Sequence, residues 1–175
     1  MKKLLSLLVA LCICFGTAAS LAEIIQLDEP IPGYEMTITL PEEVESTLDS
    51  QNDWHWIRFN YEGPIYDLTI APSDLFEGKN MSDLTEEDRA TLVEQFSDNA
   101  AVPSTLFMTL ENGLEVFLLE EDTEENDFAV MQALIHGSFV GLTVRNADYA
   151  KLNLHDLENM VVIMSSITVA PVDAE

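Results

Sequence analysis

Apolar and polar residues alternate along most of this chain, and the rhythm is that of strands rather than helices. Tyr34, Met36, Ile38 and Leu40 share one side of a segment whose other side is Glu35, Thr37 and Thr39. A period of two with one oily side predicts a half-buried strand. Pro41 stops it, and Pro41–Glu45 reads as one helical turn. Before it, residues 23–33 carry Pro30 and Pro32 and read as an irregular lead-in. Residues 54–61 (WHWIRFNY) and 65–71 (IYDLTIA) are both strand-like, and Glu62-Gly63-Pro64 between them has turn chemistry. A hairpin is expected there.

The period then changes. Thr85 followed three residues later by Asp88 suits the start of a helix, and Glu86 and Glu87 favour the positive end of its dipole. Leu92, Val93 and Phe96 fall on one side, so a helix is predicted over 86–97. Four strands follow: 106–110, 114–119, 128–135 and 139–144. Glu111-Asn112-Gly113 joins the first pair and Gly137-Ser138 the last, both as tight turns. A second helix is predicted over 154–165, with Asn153 as N-cap, Asp156 in its first turn, and Leu157, Met160, Val161 and Met164 as its apolar stripe. Residues 167–169 complete the pattern as a final edge strand.

The sum is one α+β domain, an antiparallel six- or seven-stranded sheet with helices packed on it. The strand-and-proline opening YEMTITLPEEV, the long meander, and a closing ENMVVIMSSITV helix that runs into a β tail resemble the PsbP-like superfamily. The resemblance spans residues 31–169. It implies an α-β-α sandwich and a role in binding other proteins, and it carries no catalytic residues with it.

Ahead of this domain, Lys2 and Lys3 precede an apolar run from Leu4 to Phe15, and small residues follow to Ala22. This is the pattern of a signal peptide, with cleavage expected after Ala22. Twelve apolar positions are too few to span a bilayer, which takes about 20. The domain is therefore taken as residues 23–175, secreted or periplasmic, without stable membrane insertion. Both cysteines, Cys12 and Cys14, lie in the leader. Leu11 in front of Cys12 argues against lipidation there, since that processing wants a small residue. The part beyond Ala22 has no disulfide and no thiol nucleophile.

Charge sharpens the picture. The chain carries 32 acidic and 7 basic residues. Two of the basic ones leave with the leader, so the remaining net charge is −27. Such a surface repels phosphate backbones and anionic lipid, which disfavours nucleic-acid or membrane-surface binding. Solubility outside the cell is the simpler account of it, and a surface for cations or a basic partner the sharper one.

Candidate chemistry is thin. No G-x-S-x-G occurs, and His136 and Ser138 straddle a turn. His55, His136 and His155 have no metal-ligand spacing. The acidic run 120–127 (EEDTEEND) offers Glu120, Glu121, Asp122, Glu124, Glu125 and Asp127 as hard oxygen ligands for a cation such as Ca²⁺. It lacks the glycine and spacing of a calcium loop, and the simpler expectation is a solvated hairpin tip. The last group is Trp54, Trp56 and Arg58, on one side of an aromatic-rich strand. Indoles in such a strand are expected in the core or beneath a helix. Exposed beside a cation, they would form a face for a sugar ring or a peptide. The expected function is an exported, non-catalytic module binding a protein or ligand. A cation-binding acidic protein and a carboxylate-based hydrolase are the alternatives.

Overall fold

The computed structural model describes residues 21–41, 44–51, 53–96, 104–122, 127–147 and 150–172. Among the described residues there are ten strands: β1 (Leu21–Ile31), β2 (Tyr34–Pro41), β3 (Ser46–Gln51), β4 (Trp54–Asn60), β5 (Ile65–Pro72), β6 (Ser104–Thr109), β7 (Glu115–Asp122), β8 (Asp127–Ile135), β9 (Ser138–Arg145) and β10 (Thr168–Pro171). The two α-helices are α1 (Glu86–Phe96) and α2 (Leu154–Ser165), and a 3₁₀ turn spans Met81–Asp83. Of the leader, residues 1–20 lie outside the described part, and Leu21 and Ala22 open β1.

The strands form two antiparallel sheets. Seven lie in the order β3-β4-β5-β9-β8-β7-β6, and three in the order β1-β2-β10. The α+β class and antiparallel pairing match the sequence reading, but the strands do not join into one sheet. Three elements differ from expectation. Pro41, expected to open a helical turn over Pro41–Glu45, closes β2 instead, Val44 and Glu45 carry no regular structure, and residues 42 and 43 lie outside the described part. The lead-in 23–33 is strand β1, paired with β2 from Leu21↔Pro41 to Ile31↔Tyr34, with irregularities at both ends. Its alternation is broken at Glu29, which sits at φ 49. Ser46–Gln51 is strand β3, an edge whose residues are mostly exposed. It has no apolar side to bury, so periodicity did not mark it.

The large sheet is covered on both faces. On one face Ile57, Phe59, Tyr66, Leu68, Ile70, Met131 and Leu142 meet Met36, Ile38 and Leu40 of β2 and Leu157, Met160, Ile163 and Met164 of α2. On the opposite face Phe117, Leu119, Leu134 and Phe139 meet Phe76, Met81, Leu84 and Leu92. The second, smaller cluster lies under the segment from Phe76 to α1. Alternation in β7, β8 and β9 thus feeds two cores, one on each side, whereas β4 and β5 feed the larger one alone.

Local chemistry fixes the helix ends. At α1, the Asp88 amide donates to Thr85 Oγ1 and the Thr85 amide donates to Asp88 Oδ2, both at 3.1 Å. Those contacts, first the Thr85 amide and then Lys79, hold the Asp88 carboxyl below its ordinary value. At α2, Asn153 Oδ1 accepts from the amides of His155 and Asp156, and Asp156 Oδ2 accepts from the Asn153 amide. The last turn of α2 is tied down from elsewhere. Asn112 Nδ2 donates to the carbonyls of Met164 and Ile167, each at 3.0 Å. Ser166 Oγ exchanges hydrogen bonds with the backbone of Thr39. A turn between β6 and β7 therefore clamps the helix that covers the other strands.

Candidate functional site

Strand β4 divides its side chains between two environments. Ile57 and Phe59 point into the larger core, where Phe59 stacks on Tyr66 at 5.2 Å. Trp54, Trp56 and Arg58 point the other way. Trp54 is 43 % exposed, Trp56 is half-buried, and the Arg58 side chain is 63 % exposed. This corrects the expectation that the indoles lie in the core or beneath a helix. The smaller core covers the same side of the sheet, but over β7, β8 and β9. It leaves the outer part of β3, β4 and β5 open.

The two indoles lean together, with ring centroids 5.8 Å apart and planes at 30°. Residues two apart on a strand project from the same side, so one continuous aromatic ledge results. Such a contact contributes roughly 0.5–1.5 kcal/mol, far less than enclosing either ring would. The register places polar groups on both margins of the ledge. Trp56 faces Asp49 of β3 and Thr69 of β5. Trp54 faces Gln51, and Arg58 faces Thr47 and Asp67.

Arg58 does not wave freely. Its Nε donates to Asp67 Oδ1 at 2.5 Å and its Nη2 to Oδ2 at 3.2 Å, a two-point fork. Hydrogen bonding to Asp67, and then the carboxylate's charge, raise the guanidinium pKa further above its usual value. Arg145 Nη2 lies 4.0 Å from the same Asp67 Oδ2. A carboxylate between two guanidiniums thus extends the ledge across β4, β5 and β9. Exposed pairs of this kind contribute under about 1 kcal/mol to folding. Their main effect is to hold donors and acceptors at fixed positions on the sheet.

The acidic run is arranged differently. Glu120 and Asp127 are 5 % and 0 % exposed, so the expected solvated tip does not begin where the carboxylates begin. The hairpin continues to the Asp122↔Asp127 pair. Asp127 Oδ2 accepts from the Leu152 amide at 2.6 Å and so fixes the approach to α2. Glu121 lies on the opposite side of β7 from Glu120, opposite Phe128. Glu124 and Glu125 lie outside the described residues. Among the described residues, no three His, Cys, Asp or Glu side chains are grouped as a metal would need.

The three histidines are far apart in role. His55 Nδ1 meets Ser50 Oγ at 2.9 Å on the edge of the sheet. His136 stacks flat on Tyr34, centroids 4.0 Å apart. His155 Nε2 lies 2.7 Å from Glu62 Oε2, joining the β4–β5 turn to the start of α2. No helix among the described residues is long and apolar enough to cross a membrane.

Sequence reasoning missed Asp67 and Arg145 as parts of the ledge. Arg145 sits on a strand distant in sequence, and only the register brings it to Asp67 beside Arg58. The spacing 58/67 across a Gly-Pro turn does carry the signal, since a hairpin folding at Glu62-Gly63-Pro64 brings those two positions opposite each other. Compared with family models, the chain matches none, and no curated protein matches it.

Proposed function

We propose that this protein is an exported, non-catalytic binding module whose binding surface is the open face of β3, β4 and β5. The observation that carries this reading is the exposure of Trp54 on a sheet face that also holds Trp56 and the Arg58–Asp67 fork. Aromatic rings grouped with an ordered Arg on an accessible face have the composition of an interaction surface, where Trp and Arg are enriched. The leader-like run Leu4–Phe15 supports export. The PsbP-like resemblance of residues 31–169 leans the same way, toward binding rather than catalysis.

The experiment compares the 23–175 protein with a Trp54→Ala/Trp56→Ala variant as immobilised baits for material from the native extracytoplasmic fraction. Because the rings contribute little to either core, the variant is expected to keep its circular dichroism and to melt within a few degrees of the wild type. Retention by the wild type that is lost in the variant supports the reading. Equal retention by two equally folded baits overturns it.

A further inference from the structure

The open face also indicates what it binds. We propose that the ledge takes an uncharged pyranoside chain, an inference that rests on the binding reading of this face. A pyranose ring has apolar C–H faces and a rim of hydroxyls that both donate and accept. Its binding site needs an aromatic strip with hydrogen-bonding groups on both margins. β4 supplies the strip in Trp54 and Trp56. The neighbouring strands supply the margins: Thr47, Asp49 and Gln51 on β3, Asp67 and Thr69 on β5. These are mixed donors and acceptors, as hydroxyls require.

Charge separates this ligand from others. In a molecule of net charge −25, this face holds Arg58 and Arg145 against Asp49 and Asp67 and is locally balanced. The overall field repels acidic polysaccharides, and the Arg58–Asp67 pair leaves no uncompensated charge at the end of the ledge for a charged peptide to pair with. An uncharged ligand needs no such partner. The fork also keeps Arg58 oriented, so its remaining N–H groups point at a hydroxyl without first losing side-chain freedom.

Isothermal titration with neutral β-1,4-linked oligosaccharides of glucose, xylose, mannose and N-acetylglucosamine tests the proposal. Oligogalacturonate and a proline-rich peptide serve as the charged and non-sugar probes. At least one neutral series is expected to bind with a Kd of roughly 10 µM to 1 mM. Trp56→Ala should weaken it by on the order of tenfold or more. Asp67→Asn, which loosens Arg58, should weaken it less. Ile24→Ser, on the exposed β1 and away from the ledge, should leave it unchanged. Binding of no neutral series at millimolar concentration, or binding indifferent to Trp56→Ala, overturns the proposal. If the bait experiment still retains material in a Trp-dependent way and that material is destroyed by protease but not by periodate, the sugar assignment falls while the binding face stands. If Trp-dependent retention is also absent, both fall.

Discussion

Single side chains in this protein sit under unequal constraints, and Tyr66 shows it best. Its ring is fully buried against Phe59, and its hydroxyl, beside the Asn159 side chain, makes no hydrogen bond of good geometry. Burial first, opposed by Asn159 and added to by the carboxylates of Asp156 and Glu62, pushes the hydroxyl well above the usual tyrosine pKa of 10.0. A raised folded-state value gives a contribution that is complete below pH 10.0 and lost as pH rises beyond it, because the unfolded chain ionises first. Tyr66→Phe should therefore match or exceed the wild type at neutral pH, by up to about 1 kcal/mol. Denaturant titrations above pH 10.0 should show the wild type losing stability that the variant keeps. Gly137 is constrained from the other direction. It sits at φ 81, and an added Cβ would lie 2.4 Å from the Gly78 nitrogen. Gly137→Ala should cost about 2 kcal/mol or more, read as a lower urea midpoint. The alternation in WHWIRFNY correctly put Trp54, Trp56 and Arg58 on one side. Which side that was could not be read from it, because both faces of a central sheet can be covered.

At the scale of elements, the caps and turns were the most legible features. Asn-Gly at 112–113, Glu-Gly at 62–63, Thr85 with Asp88, and Asn153 with Asp156 all act as their spacing implied. Each is a local device whose partners lie within a few residues. Asn153→Ala should accordingly cost about 1 kcal/mol, visible as a lower thermal midpoint with the fold retained. The β8–β9 turn is the partial exception. It was placed at Gly137-Ser138, whereas the two left-handed residues are His136 and Gly137. A histidine at φ 47 is unusual, and it is held there by partners remote in sequence. Tyr34 stacks on its ring, and the His136 amide donates to Asn80 Oδ1 at 2.9 Å. Strands β1 and β3 were illegible for different reasons. Leu27 and Ile31 of β1 reach the core, but Glu29 at φ 49 breaks the alternation that would mark them; β3 has no buried side and is held by its pairing with β4.

For the whole molecule, the number of layers is the property that local patterning least determines. Ten short ribbons can close as one sheet or two, and the choice rests on which apolar sides find each other. Here β2 leaves the meander with β1 and β10 to form a second sheet over the first. The two hydrophobic clusters are very unequal, and among the described residues the smaller one holds Phe76, Met81, Leu84 and Leu92 from the covering segment. A covering layer anchored by so few side chains opens at lower cost than the body beneath it. Hydrogen exchange should find the amides of α1 exchanging well before those of β8 and β9, by mild breathing rather than global unfolding. Arg89 of that layer reaches Glu115 on β7 and Phe107 on β6, towards the opposite edge of the sheet from Trp54 and Trp56. Loosening of the cover therefore leaves the indole pair where it stands, so one end of the molecule can breathe while the other keeps its shape.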